Sequence, residues 1–128
     1  MKITKTQYAT CLAESQNYND RLAYISELAA SSIWGDPDGC ADDIPAERLD
    51  ALREIYDAAN RTVSQICAAA GLTSRELADR FLIPARTVFS WCSGERGCPL
   101  YTRMMMQECL GLYQPVALFS QTQGNVGK

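Results

Sequence analysis

The chain has 128 residues, of which 47% are hydrophobic and 21% are charged, so it can form one domain of ordinary size with a hydrophobic core. Its apolar runs are all shorter than the roughly 20 residues that a membrane-spanning helix needs, and its first 20 residues lack the apolar core of a signal peptide. We therefore expect a soluble, cytoplasmic protein with no membrane partner.

The cysteine and histidine content limits the metal sites and catalytic reactions that the chain can support. The chain has six cysteines, none in a C-x-x-C pair, and no histidine, so we expect no zinc site and no other cofactor. Without an export signal, free thiols are expected rather than disulfides. The missing histidine also removes the commonest general base, and the carboxylates form no recognisable catalytic pattern. We therefore expect neither an enzyme nor catalytic residues.

Charge is distributed unevenly along the chain. Residues 1–60 contain five basic and eleven acidic side chains, a net of −6, whereas residues 61–128 contain seven basic and four acidic side chains, a net of +3. A surface that binds nucleic acid needs local positive charge rather than a positive total. Only the second half has a net positive charge, and that charge is small.

The predicted elements are helical from the start of the chain. Apolar residues recur at steps of three and four, and no sustained alternation predicts a strand, so the fold class is all-α. We predict a first helix over residues 5–14 and a second over residues 20–33, with Asp20 as a plausible N-cap. The apolar face predicted for the second helix consists of Leu22, Ile25, Leu28 and Ala29.

A loop is predicted next, over the sequence WGDPDGCADD at residues 34–43, because glycine and proline punctuate it. The DPDG fragment superficially resembles a calcium-binding loop. An EF-hand needs oxygen ligands at fixed steps, and Pro37 spoils that pattern here, so a solvated acidic turn without metal is the better interpretation.

A long helical stretch follows over residues 46–70, after Pro45, which suits a first helical turn. It forms either one helix or two with a break near Asn60, and Gly71 is a natural stop. We expect the N-terminal helices to pack on this stretch.

Two short helices are predicted within TSRELADRFLIPARTVFSWCSG, which spans residues 73–94. Thr73 and Glu76 have the spacing of a capping box, Pro84 opens the second helix and Gly94 ends it. Trp91 is expected in the core.

A last helix should cover residues 100–110, with its three consecutive methionines filling the core. Gly111 ends it, and a C-terminal tail follows over residues 114–128.

The order of residues in this region closely resembles the helix-turn-helix of the lambda-repressor/Cro-like (XRE-type) DNA-binding family. The similarity covers roughly residues 61–113 and is carried by Gly71, Leu72, Thr73, Glu76, Leu77, Ala78, Ile83, Val88, Trp91, Gly94 and Pro99. It implies a lambda-repressor-like domain at residues 61–113. An acidic helical region at residues 1–60 precedes that domain, and we expect it to pack on the domain.

In that family the second helix of the motif lies in the major groove, with its N-terminal residues facing the base edges. The resemblance implies that Arg86 can pair with guanine and that Phe89 can pack on a thymine methyl group. Other positions would hold backbone phosphates. The DNA-binding residues implied in this way are Ser74, Arg75, Ala85, Arg86, Thr87, Phe89, Ser90 and Arg96.

Three positions depart from the family pattern: Leu82 replaces a common glycine, Ser74 a common glutamine, and Glu95 a common lysine. The exposed arginines also fit a plain solvated surface, and Phe89 also fits half-buried packing.

Two functions are therefore carried forward. The first is a sequence-specific DNA-binding protein, a transcriptional regulator that contacts double-stranded DNA as a homodimer, for which the final helix and the tail are the candidate interface. The second is a protein-interaction or adaptor domain that keeps the fold without strong DNA binding and uses its acidic N-terminal region on a protein partner.

Overall fold

The computed structural model of the chain describes residues 3–35 and 44–114. Within these ranges the chain is all-helical, as predicted, and no helix there is long and apolar enough to cross a membrane. The α-helices are α1 (Lys5–Glu14), α2 (Arg21–Ala29), α3 (Ala46–Ala59), α4 (Val63–Ala70), α5 (Ser74–Phe81), α6 (Ala85–Ser93) and α7 (Leu100–Cys109), and one 3-10 turn spans Ser32–Trp34. The DPDG fragment and the tail beyond Gln114 lie outside the described residues, so the predictions for them stay predictions.

The chain divides into two compact units. One comprises Met1–Asp57 together with Gln114–Lys128, and the other comprises Ala58–Tyr113. The division falls within the last turn of α3.

The first unit is organised around an apolar cluster from α1, α2 and α3. Its buried members are Ile3, Cys11, Tyr24, Ile25, Leu28, Ala29, Leu52, Ile55 and Tyr56. The N-terminal helices thus pack on α3, which is the first part of the stretch predicted for that role. Two buried polar groups of this unit are paired with backbone carbonyls: the hydroxyl of Tyr24 donates to the carbonyl of Cys11 at 2.7 Å, and Arg48 Nη1 donates to the carbonyl of Ala29 at 2.9 Å.

Helix α2 differs from its prediction in two ways. It ends at Ala29, and a separate 3-10 turn follows rather than a continuous helix to Ile33. Leu22, predicted on the buried face, is 71% exposed, and Tyr24 is buried instead. At about 100° per residue Leu22 lies roughly 90° from the centre of the face that the four buried residues of α2 define, so it falls on the flank.

The break near Asn60 is the correct alternative for residues 46–70. Helix α3 ends at Ala59 and α4 begins at Val63, because Thr62 adopts an extended conformation and caps the second helix. Its hydroxyl accepts from the amide of Gln65 at 3.1 Å, and the Gln65 side chain accepts from the amide of Thr62 at 2.8 Å. This reciprocal capping box satisfies two amide groups that a helix start otherwise leaves unpaired.

The second unit has its own apolar cluster, to which α4, α5, α6 and α7 contribute. The buried members are Val63, Cys67, Leu77, Ala78, Val88 and Met106. The prediction that the three methionines fill the core is right for Met104 and Met106 but wrong for Met105, which is 62% exposed. Consecutive helical residues point 100° apart, so three in a row cannot share one buried face.

Polar side chains of α7 hold the end of α3 within this unit. Arg103 Nη1 donates to the carbonyls of Ala59 at 2.6 Å and Arg61 at 3.0 Å, and Gln107 Nε2 donates to the carbonyl of Ala58 at 2.8 Å. The last carbonyls of a helix have no partner inside it, and a cation near them is favourable. Arg103 and Gln107 therefore act as a C-terminal cap supplied from another helix.

Candidate functional site

The candidate site is the face formed by α5, α6 and the loop that follows them. Helix α5 begins at the predicted capping box: the amide of Glu76 donates to the hydroxyl of Thr73 at 3.1 Å, and the amide of Thr73 donates to the carboxylate of Glu76 at 2.8 Å. Its inner side buries Leu77 and Ala78, which are 0% and 1% exposed. The cap fixes where α5 starts, and the burial fixes which side faces outward.

The connection from α5 to α6 is short because Leu82 takes a left-handed conformation, with φ 56° and ψ 42°. The amide of Ile83 then donates to the carbonyl of Ala78 at 2.9 Å, a closure typical of a Schellman motif. Glycine is the usual residue in this conformation. Pro84 follows at once and opens the next helix.

Helix α6 starts without a side-chain cap, since Pro84 occupies the cap position. The amides of Thr87 and Val88 both turn back to the carbonyl of Pro84, at 2.9 and 3.3 Å. Val88 is fully buried, so the helix turns its other side to solvent. The first turn of α6 is thus stabilised by these backbone hydrogen bonds and by the burial of Val88.

Trp91 was predicted in the core and is half-buried. It packs against the second cluster, yet it also lines an open surface hollow of about 340 Å³ beside the end of α6. It has the packing role expected of its position, but part of its ring remains at the surface.

The predicted DNA-binding residues separate into two groups by exposure. Arg75, Arg86, Phe89 and Arg96 are exposed, whereas Ser74, Ala85, Thr87 and Ser90 are partly buried. Ala85 packs against the second cluster and so presents little side chain outward.

Four of these residues come together on one feature. Arg86, Thr87, Ser90 and Arg96 line an open surface hollow of about 550 Å³ at the outer side of α6, which we call the outer hollow. Glu95 is its fifth lining residue. Two guanidinium groups and two hydroxyls on one concave surface form an array of hydrogen-bond donors that suits an anionic or strongly polar ligand.

The arginines of the outer hollow are available for a ligand. Within residues 3–35 and 44–114, neither the Arg86 nor the Arg96 guanidinium has an acceptor, and neither forms an ion pair. Neither guanidinium is therefore engaged in a direct bond to another side chain within those ranges.

Glu95 introduces an opposing charge at the same place. Its carboxylate accepts a hydrogen bond from the hydroxyl of Ser90 at 3.3 Å, so both residues are partly engaged with each other. The loop also returns to α6 through the backbone, since the amide of Arg96 donates to the carbonyl of Ser90 at 3.2 Å. The position of Arg96 is therefore tied to that of α6.

The other predicted residues make contacts outside the outer hollow. The guanidinium of Arg75 lies over the ring of Phe89, with its Cζ 5.9 Å from the ring centroid. An exposed cation–π contact of this kind contributes about 0.5–1 kcal/mol. The hydroxyl of Ser74 lies 3.4 Å from Cys92 Sγ, which turns it toward α6.

Five cysteines lie in the described ranges and none of them forms a disulfide there. Burial raises the pKa of the Cys67 thiol, and the neighbouring Cys92 raises it further. Burial also raises the pKa of the Cys98 thiol to about 11. Thiols held protonated in this way are poor nucleophiles.

Sequence reasoning missed three residues of this region. It gave Arg61 and Arg103 no role, although both line the hollow beside Trp91, and it did not foresee that Glu95 would bond to Ser90. A local signal existed for Glu95, which lies five residues after Ser90. No local signal existed for Arg103, whose carbonyl partners Ala59 and Arg61 are 44 and 42 residues away in the sequence.

Comparisons of the chain with protein-family models, with curated proteins and with solved structures find no match.

Proposed function

We propose that the face formed by α5, α6 and the following loop binds double-stranded DNA, and that the protein is a sequence-specific transcriptional regulator. The observation that carries this proposal is the outer hollow, in which Arg86, Thr87, Ser90 and Arg96 converge without a protein acceptor for either guanidinium in the described ranges. The resemblance of residues 61–113 to the lambda-repressor/Cro-like family supports it, as does the net charge of +3 in the second half of the chain.

In the proposed complex α6 lies in the major groove. Arg86 belongs to its first turn and is exposed, so its planar fork reaches a guanine O6 and N7. Thr87 and Arg96 hold phosphates on either side of that contact. Ser74, the first residue of α5, holds another at a helix start.

The proposal includes a lambda-repressor-like helix-turn-helix made of α5 and α6. The capping box at Thr73, the tight turn at Leu82 and the buried Val88 support this assignment. One such motif contacts few base pairs, so the protein acts as a two-fold dimer on paired half-sites. Tyr101 and Met105, which lie one helical turn apart on α7 and are 70% and 62% exposed, are the residues we assign to the dimer contact.

A second candidate function is a protein-interaction domain. The specific observation in its favour is Glu95, whose carboxylate lies in the outer hollow and would face a DNA phosphate. Repulsion there weakens DNA binding and favours a basic protein partner instead.

The test of DNA binding compares Arg86→Ala with the unmodified chain on a duplex selected from random sequence and on a scrambled duplex. If Arg86 pairs with a guanine, the variant loses about 1–3 kcal/mol on the selected duplex and little on the scrambled one. Arg80→Ala is the matched control, because Arg80 is an exposed arginine of α5 outside the outer hollow. Equal affinity of all three proteins for both duplexes would reject DNA readout by this face and favour the adaptor function.

A further inference from the structure

A second open hollow lies beside the outer one, and its lining is more strongly cationic. It measures about 340 Å³ and is formed by the start of α4, the end of α6, the loop after it and α7. Three of its lining residues are Arg61, Arg96 and Arg103, and none of the others is acidic. We call it the arginine hollow. Arg96 lines both hollows, whereas Arg61 and Arg103 belong to this one alone.

Two of the three arginines are held in place by the protein. Arg103 Nη1 donates to two backbone carbonyls and its Nε donates to the carbonyl of Cys98 at 3.3 Å. Arg61 Nη1 donates to Gln107 Oε1 at 2.7 Å. A guanidinium has five N–H donors, so both retain donors that these bonds do not use. Their acceptors are neutral, so the charge of each arginine is not neutralised by them.

The electrostatics of the arginine hollow favour an anion. Three cations around one small space repel each other, and no carboxylate lines that space to offset them. Thr62 and Val63, at the start of α4, also line it, and a helix start carries a partial positive charge. Arg103 is partly removed from water, and burial lowers its pKa, although the nearby Cys98 thiol opposes part of that shift.

We propose that the arginine hollow binds the phosphate group of a small phosphate monoester. Arginine pairs with phosphate through two parallel N–H···O bonds, and three guanidinium groups match the several oxygens of one phosphate. The exposed part of the Trp91 ring lies in the same hollow and is available to pack on the organic part of the ligand. This site goes beyond the proposed DNA-binding function and does not depend on it.

The phosphate could come from two sources, because a DNA backbone also carries phosphate groups. A backbone phosphodiester has a single negative charge, whereas a monoester carries about −1.5 to −2 at pH 7. Three cations balance the monoester better than the diester. Methyl phosphate and dimethyl phosphate represent the two sources without a duplex, so the measurement is independent of DNA binding.

The experiment uses the fluorescence of Trp91. The chain has two tryptophans, and Trp34→Phe leaves Trp91 as the sole one. Titration at constant ionic strength should give a saturable signal, with methyl phosphate binding about tenfold more tightly than dimethyl phosphate. Calorimetry on the unmodified chain should give the same dissociation constants. Equal binding of the two esters would overturn the monoester assignment, and no saturable binding of either would overturn the site.

A pH series separates dianion binding from other causes. The chain has no histidine, and the titratable groups lining the arginine hollow are its three arginines and Cys98, whose pKa burial raises to about 11. Arginine in general keeps its charge at these pH values and the Cys98 thiol keeps its proton, whereas a phosphate monoester loses its second proton near pH 6. Affinity for methyl phosphate should therefore rise across this range, while affinity for dimethyl phosphate stays level. A flat profile for methyl phosphate would contradict the proposal.

Arg96→Gln tests the site without disturbing the fold, because the Arg96 side chain has no acceptor in the described ranges. Loss of its charge-assisted bonds should weaken methyl phosphate binding about tenfold. Arg80→Gln removes the same charge from the same unit at a position outside the arginine hollow and should leave affinity unchanged. Unchanged affinity in Arg96→Gln, or an equal loss in both variants, would overturn the site.

Discussion

At the scale of single residues, Leu82 is the residue type least suited to the backbone conformation that it adopts. It is the sole non-glycine residue with positive φ in the described ranges, at 56°. A left-handed conformation costs a residue with a Cβ roughly 1–2 kcal/mol. The side chain is 91% exposed, so burial does not offset that cost. The turn between α5 and α6 therefore stores strain that a glycine would remove.

Leu82→Gly should raise the free energy of unfolding by about 0.5–1 kcal/mol, since relief of the left-handed strain exceeds the added freedom of glycine in the unfolded chain. Chemical denaturation followed by Trp91 fluorescence in the Trp34→Phe background measures this. The opposite change is the control: Gly94→Ala, at φ 83° with no atom within 4 Å of the new Cβ, should cost about 1–2 kcal/mol from strain alone. A Leu82→Gly variant no more stable than the parent would contradict the assigned backbone conformation.

Glu95 decides how well the outer hollow can accept a phosphate. Replacing it with lysine removes a carboxylate that faces Arg86 and Arg96 and adds a cation to the same surface. Glu95→Lys should strengthen binding to selected and scrambled duplexes alike and steepen the dependence of log affinity on log salt by about 0.9, the effect of one added phosphate contact.

The matched control for that prediction is Glu108→Lys, because Glu108 is exposed on α7 and the change in net charge is the same. Equal effects of the two substitutions, measured by titration at two salt concentrations, would assign the gain to overall charge. In that case the result would give no support to DNA binding at the outer hollow.

At the scale of elements, the sequence is informative where the signal is local. The bounds of α1 and the cap of α5 follow from apolar spacing and from Thr73 with Glu76, and both match the structure. The sequence located a possible break between α3 and α4 near Asn60. It did not determine whether the break exists, because the apolar spacing continues through that position. Thr62 and Gln65 form the same kind of capping box and were the signal that would have decided it.

Contacts between distant parts of the chain could not be predicted in this way. Arg103 looks like an ordinary helical arginine in the sequence, yet it donates to three backbone carbonyls in the second unit. The same limit applies to the candidate site. The resemblance brought Arg86, Thr87 and Ser90 to one face, but the arginine hollow depends on α4 and α7, whose approach no local pattern encodes.

Arg103→Met should lower the free energy of unfolding by about 2–3 kcal/mol. Methionine keeps much of the apolar stem but leaves the carbonyls of Cys98, Ala59 and Arg61 without this donor, and unpaired, partly buried carbonyls are costly. Denaturant unfolding followed by Trp91 fluorescence in the Trp34→Phe background measures the change. Arg80→Met, an exposed position on α5, should stay within about 0.5 kcal/mol of the parent. Matching effects of the two variants would mean that the C-terminal cap of α3 contributes nothing.

At the scale of the whole molecule, charge is divided between the two halves of the sequence in a way that composition alone conceals. Residues 1–60 have a net charge of −6 and residues 61–128 a net charge of +3, so the whole chain has a net charge of −3. That total alone indicates no affinity for DNA. The structure concentrates positive charge further, because Arg61, Arg86, Arg96 and Arg103 line two hollows of one unit. We therefore expect binding at these hollows to depend on that local field and not on the total.

The titration behaviour of the whole chain follows from its lack of histidine and from its buried thiols. No side chain of the sequence has an ordinary pKa between 5 and 8, so stability should be nearly constant there. Burial raises the pKa of Cys11 in the first unit from 9.0 to about 11, and burial raises the pKa of Cys98 in the second unit to about 11 as well. Each unit therefore contains at least one thiol that stays protonated in the folded state when the unfolded chain would ionise.

The sign of the resulting pH dependence is determined by these raised values. Below pH 9 both states hold the proton and the stabilisation is complete, but between pH 9 and about 11 the unfolded state alone releases it, so stability falls as pH rises. For Cys11, which is fully buried, the slope approaches about 1.4 kcal/mol per pH unit.

Denaturant unfolding at pH 7, 9 and 10.5 should give a plateau and then a decline, and Cys11→Ala should flatten the decline even if it lowers stability at every pH. Cys109→Ala is the control, because that thiol is exposed and its removal takes no buried group away. An equally steep decline in Cys11→Ala and in the parent would show that the Cys11 thiol is not the group that couples this unit to pH.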